Sequence, residues 1–196
     1  MGRSNREQAQ QNRERIVEQT GAVIRSGGVA AVSISEIMSR AGMTQGGFYN
    51  HFESKDALIA EAVASGFARS ARNWRTRAVA AGPPIVGTLR RIVGYYLSKK
   101  PPEQSCPMVA LGQDAAPHHA SPELNKAYRE GVDQLFATFV EIAHADTSCI
   151  LSDDELRIAF AAMVGANMLT RSTGDKKWAA GVEGTLFVEP ADCPPP

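Results

Sequence analysis

Apolar side chains recur at three- and four-residue intervals along most of the chain, and no stretch of any length alternates as a half-buried strand would. The pattern predicts an all-α protein. Ile16, Thr20, Val23, Ile24 and Gly27 mark the inner stripe of a first helix over 13–26, ended by the Gly27-Gly28 pair, while residues 1–12 have no apolar face and read as a flexible arm. Ile34, Ile37, Met38 and Ala41 form the buried face of a helix about two turns long. Ser33 is its expected cap, with Glu36 placed to bond back as in a capping box. Gly42 then frees the chain to turn, and the Thr44 hydroxyl is placed to cap a short element over 45–51.

Further on, Ser54 caps a long helix carrying Leu58, Ile59, Ala62, Val63, Phe67, Ala71 and Trp74, which Gly82-Pro83-Pro84 stops. Such a helix leaves the N-terminal head and enters the body. Leu89, Ile92, Val93, Tyr96 and Leu97 define another helix, and Ser105 with Pro107 starts one through about Ala115. From Ser121-Pro122 a long helix carries Leu124, Tyr128, Val132, Leu135, Phe136, Phe139 and Ile142. Ser152 caps the next, to about Arg171, whose Ala159, Ala162, Gly165 and Ala166 suit close packing of subunits. A short helix over 176–186 precedes a tail at 189–196 that Pro-rich composition keeps disordered.

Two short helices across a tight turn form a helix-turn-helix, and the second carries the chemistry. Phe48 and Phe52 anchor its inner side, leaving Thr44, Gln45, Tyr49, Asn50 and His51 outward with groups that bond bases or phosphates. Gly46 and Gly47 lower helix propensity by about 1 kcal/mol each but let a backbone approach a groove closely. Lys55, in the first turn of the following helix, is placed where an anion is favoured, and a phosphate fits there.

At these residues the chain resembles the TetR family of bacterial transcriptional repressors. Ser33, Ile37, Ala41, Gly42, Gly46 or Gly47, Tyr49, His51, Phe52, Lys55 and Leu58 stand where the family's N-terminal signature has them, and Met43 and Thr44 replace its common Val and Ser conservatively. The resemblance covers about the first third of the chain. It implies a helix-turn-helix DNA-binding domain over 1–56 and a helical ligand-binding and dimerisation domain over 57–188. It further implies a homodimeric repressor released from a palindromic double-stranded operator when the body binds a small effector.

Composition sharpens this picture only in places. Formal net charge is zero, but residues 1–80 carry net +4 and the remainder net −4, the sense expected if the N-terminal part meets phosphate. Tyr95, Tyr96, Met108, Leu111, Phe136, Phe139 and Met163 are the candidate lining of an apolar pocket for a planar or lipophilic ligand. No apolar run reaches the roughly 20 residues a membrane span needs, so a cytoplasmic protein is expected. Cys106, Cys149 and Cys193 have spacings of neither a disulfide framework nor a zinc site, and no metal or cofactor is expected. Cys106, near a helix start, is a possible thiol sensor. Two other readings stand beside the regulator: a thiol-dependent enzyme pairing Cys106 with His118 or His119, and a helical ligand-binding protein that does not bind DNA. The regulator, not an enzyme, is the reading expected.

Overall fold

The structure is a computed structural model and describes residues 2–80 and 87–186. The Gly82-Pro83-Pro84 stop, the 189–196 tail, Cys193 and the side chain of Arg3 lie outside the described residues. Among those described, every regular element is helical: α1 (Gly2–Gly27), α2 (Ile34–Arg40), α3 (Lys55–Val79), α4 (Thr88–Leu97), α5 (Pro107–Leu111), α6 (Pro122–Ala145), α7 (Asp153–Thr173) and α8 (Lys177–Leu186), with 3₁₀ turns at Val29–Ala31, Gln45–Asn50 and Pro102–Gln104. The chain divides into two compact units, one of residues through Ser70 with Lys100–Gln134 and another of Ala71–Lys99 with residues from Leu135 onward. Both α3 and α6 contribute residues to each unit. The position after residue 56, where the motif puts a functional boundary, lies at the start of α3 within the first unit.

In the first unit the periodic residues are the core. Ile16, Thr20, Val23 and Ile24 of α1, Ile37 and Met38 of α2, Phe48, Phe52, and Leu58, Ile59 and Phe67 of α3 are all buried. Gly27, expected in the α1 stripe, is exposed. Residues 2–12 are not an arm: α1 begins at Gly2. An apolar face is not required for helix here, because Gln8 bonds Asn12 and Gln10 bonds Glu14 across one turn, the i,i+4 pairing that supports a polar helix.

Two guanidiniums of α1 reach the carbonyls at the ends of the following elements. Arg15 Nη1 donates to the Ala41 carbonyl, 3.3 Å away, at the end of α2. Arg13 Nη1 donates to the His51 carbonyl, its Nε and Nη2 meet the Glu61 carboxylate, and its Cζ lies 4.2 Å from the centre of the Phe52 ring. The last carbonyls of a helix lack intrahelical partners, and cations are favoured there. Neither arginine belongs to an apolar stripe.

Capping departs from expectation at three places. The Ser33 side chain makes no cap bond, and the Glu36 carboxylate, instead of bonding back to Ser33, accepts from Arg40 one turn on, at 2.7 Å. Thr44 caps by backbone conformation alone. Cys106, not Ser105, is the cap residue of α5, since the Ser105 hydroxyl bonds the Pro102 carbonyl at 2.6 Å. That helix stops at Leu111 rather than near Ala115, and the Asp114 carboxylate turns away to accept the Val29 N–H at 3.1 Å. The capping box instead occurs at Ser152 and Glu155, where the carboxylate accepts the Ser152 N–H at 2.8 Å. Ser54 and Ser121 cap α3 and α6 through their hydroxyls as expected.

The second unit is built on an aromatic cluster. Trp74 of α3 meets Tyr96 of α4, Phe139 of α6 and Phe160 of α7 edge-to-face at 5.9, 6.3 and 6.5 Å between ring centres. Such pairs contribute about 0.5–1.5 kcal/mol each beyond area burial. Asn167 of α7 donates to the Tyr96 carbonyl at the end of α4, 2.8 Å away. At the other end of α4, buried Asp146 accepts the N–H groups of Gly87 at 3.0 Å and Leu89 at 2.8 Å, and the Ser148 hydroxyl at 2.7 Å.

Burial alone would push the Asp146 carboxyl up, but the bonds from Leu89, Ser148 and Gly87 outweigh it and hold the pKa below the ordinary 3.8. A carboxyl depressed in this way stabilises the fold above its unfolded pKa and loses that contribution as pH falls through its folded value. Asp146→Asn should therefore cost about 1–3 kcal/mol near neutrality, through the amide N–H groups it turns on donors. Below about pH 4 the gap between the two chains should narrow. Melting temperatures from pH 7 to 2.5 check this, and parallel curves would contradict it.

Candidate nucleic-acid interface

The element Gln45–Asn50 has little local reason to be helical, and its geometry is a 3₁₀ turn rather than α. Its position comes from its flanks. Gly42 takes φ +76°, a left-handed conformation that other side chains strain to adopt, and so sets the angle between α2 and the next element. Phe48 is fully buried, packs at 5.7 Å on Phe52 and meets the Tyr49 ring edge-on at 5.1 Å. The Phe48 carbonyl receives the N–H groups of His51 and Phe52 at 2.9 and 3.1 Å.

With Phe48 inward, the polar side chains are left outward. Thr44, Gln45, Gly46, Tyr49 and Asn50 are exposed, Tyr49 to 73%, and Gly47, His51 and Lys55 are half-buried. The structure thus brings the sequence-derived residues onto one short element and the first turn of α3. A Cβ built on Gly46 would meet nothing within 4 Å, and one on Gly47 only the tips of Met38 and Thr44, at 3.8 and 4.0 Å. Neither glycine has a positive φ. The chain's own packing therefore does not require glycine at either position.

The candidate pocket residues are divided. Met108 and Leu111 are buried in the first unit, whereas Tyr95, Tyr96, Phe136, Phe139 and Met163 belong to the second, with Tyr96, Phe139 and Met163 buried and Tyr95 and Phe136 partly so. The Arg77 guanidinium covers the Tyr95 ring at 3.7 Å, and the Thr170 hydroxyl of α7 is buried with no hydrogen-bond partner among the described residues.

Cys106 is half-buried, with Arg25 and Tyr128 as its charged and polar surroundings. Burial, then the neighbouring Arg69, lowers the Arg25 guanidinium to about 10, against the opposing pull of Cys106, Glu18 and Glu103. The Tyr128 phenol is pushed up to about 12 by burial and by Cys106. Arg25 is the basic neighbour that spacing alone does not reveal. His118 and His119 are exposed and lie against each other, rings 4.3 Å apart. No group of three or more His, Cys, Asp or Glu among the described residues is arranged to hold a metal, and no helix among them is long and apolar enough to cross a membrane.

Residues 16–62 match the family model described as bacterial regulatory proteins, tetR family. The chain is 40% identical over 52 residues to the uncharacterized HTH-type transcriptional regulator YerO of Bacillus subtilis, and 34% over 61 residues to the HTH-type transcriptional regulator AcrR of Shigella flexneri. These stretches are 26% and 31% of this chain but only 18% and 28% of those relatives. A TetR transcriptional regulator from Chloroflexus aurantiacus has the same fold, with TM-score 0.74 and 24% identity over 92% of this chain and 94% of that one. Reduced E. coli NemR superposes with TM-score 0.73 at 16% identity, over 90% and 95% of the two chains. The helix-turn-helix segment is thus similar in sequence to that of the bacterial regulatory proteins of the tetR family, and the chain shares its helical fold with a TetR transcriptional regulator.

Proposed function

We propose that the chain is a DNA-binding transcriptional regulator whose Gln45–Asn50 element enters the major groove of a palindromic operator. The observation that carries this reading is the exposed polar row on an element with no packing need for its glycines. Open space at Gly46 is what close approach of a phosphate-lined groove demands. In this reading Gln45, at the exposed start of the element, pairs with an adenine edge. Thr44, Tyr49, Asn50, His51 and Lys55 take phosphates or neighbouring edges, and Gly46 and Gly47 bring the backbone close. The regulator is a repressor, and effector binding to the body favours a geometry in which the two heads no longer fit their half-sites, with the two affinities reciprocally coupled.

We assign the effector to the second unit, beside Tyr95, Tyr96, Phe136, Phe139 and Met163. Aromatic and methionine side chains favour a planar or lipophilic molecule, and the buried Thr170 hydroxyl supplies a polar group for it to satisfy. Dimerisation is assigned to α7 and α8. Ile158, Ala161, Met168 and Leu169 are exposed at helical spacing, Ile158 to 69% and Met168 to 57%, and Trp178 of α8 is exposed as well. The small residues Ala159 and Ala166, by contrast, are buried within the chain. A second copy that covers the exposed face gives two reading elements for successive half-sites, the arrangement a palindrome needs.

Replacing Gln45 by Ala should cost about 1–3 kcal/mol on the cognate operator and relax discrimination there, while Lys55→Ala should weaken cognate and scrambled DNA alike and reduce the salt slope by about 1. Gly46→Ala should leave folding intact and weaken both DNAs. Fluorescence anisotropy at several salt concentrations measures all three, and unchanged binding in every variant would mean that this element does not meet DNA. Separately, Ile158→Glu with Met168→Glu should convert a dimer to monomer in sedimentation experiments and lower operator affinity. A wild-type chain that is monomeric at micromolar concentration, alone and on DNA, would overturn the dimer.

A further inference from the structure

A groove of about 530 Å³ opens on the first unit between the Val29–Ala31 turn, the first turns of α3 and α6, and the segment that follows α5. None of the residues assigned above to DNA or effector lines it, although Asp56 directly follows Lys55. Its volume falls within the roughly 300–1,000 Å³ of small-molecule sites. Val29 and Ala30 supply the accessible apolar wall, with the nearly buried Ile59 and Leu124 behind it, and among the described residues the only formally charged side chains that line it are the carboxylates of Asp56 and Asp114. No lysine or arginine is among the described residues that line it, so the lining itself carries negative charge.

The two carboxylates differ in how they are held. Asp114 is fixed, because its Oδ2 accepts the Val29 N–H at 3.1 Å. The turn that presents this N–H depends on Gly28, whose φ of +77° only glycine adopts without strain, and a Cβ there would stand 3.1 Å from the same oxygen. One oxygen of Asp114 is thereby committed and the carboxylate keeps a single orientation. Asp56 is exposed in the first turn of α3 and makes no hydrogen bond to another described side chain. A ligand that satisfied both would present a cationic head to the carboxylates and an apolar frame to Val29 and Ala30.

The geometry points to a second small-molecule site in this groove, for a monovalent organic cation such as a protonated amine on an apolar frame. A carboxylate ligand would meet like charge at both walls, and a neutral one would leave both carboxylates without a counter-charge. The site does not depend on the DNA-binding reading.

Isothermal titration calorimetry at low salt with phenylbutylamine, phenylbutanol and phenylbutyrate, which share one frame and differ in charge, tests it without DNA. The amine should bind about tenfold more tightly than the alcohol and the carboxylate not measurably, with the amine's advantage falling as salt is raised. Asp56→Asn and Asp114→Asn should each weaken the amine about threefold and leave the alcohol unchanged, the size expected of partly exposed charge pairs. Asn at 114 retains a carbonyl for the Val29 N–H, and the exposed position 56 keeps the test decisive if the other variant unfolds. Equal binding of amine and alcohol, or amine binding indifferent to Asp56→Asn, would overturn the site. A chain that binds the amine here yet shifts no DNA would overturn only the regulator.

Discussion

Arg13 of α1 holds the Gln45–Asn50 element from behind. Its guanidinium takes the His51 carbonyl, lies over the Phe52 ring and is itself held by Glu61 of α3. A six-residue 3₁₀ element with two adjacent glycines has almost no helical stability of its own, because nucleation is costly and each glycine adds to the cost. Its conformation is therefore imposed. Arg15, two residues on, likewise reaches a terminal carbonyl, that of Ala41 at the end of α2. Together they explain how a sequence chosen for an open polar face keeps a fixed geometry.

This constraint also orders the rest of the first unit. Arg13 is anchored on α3, so the element and the first turns of that helix are linked through one side chain as well as through the buried Phe48 and Phe52. Residues of α3 go on to form part of the second unit's core through Trp74. The same segment of chain thus bears both the anchor of the reading element and the centre of the aromatic cluster to which an effector is assigned.

Much of the fold is legible in the sequence, because apolar spacing reports burial directly: the stripes of α2, α3 and α4 are the observed core almost residue for residue. The exposed row from Thr44 to Asn50 follows from the same logic, since Phe48 and Phe52 leave it no other side to face. What spacing does not reveal is polar contact between distant segments. Glu36 suits a capping box by its position, yet its carboxylate accepts from Arg40 at one turn's distance instead, while at Ser152 the box forms. Arg13 looks like one more charge on a solvated face until the chain brings His51 to it. The Asp114 bond to Val29 spans 85 positions and has no local signature. Residues 2–12 mislead for the opposite reason: a polar helix lacks the apolar face by which helices are usually found.

The most direct test is hydrogen exchange of residues 45–52 in Arg13→Met, which keeps a stem over Phe52 but removes the guanidinium. If Arg13 imposes the conformation, the amides of His51 and Phe52 should exchange at least about tenfold faster than in the unaltered chain, the effect of losing one charged hydrogen bond, while amides of α7 keep their protection. Unchanged protection of His51 and Phe52 would contradict the account and leave Phe48 burial alone to hold the element.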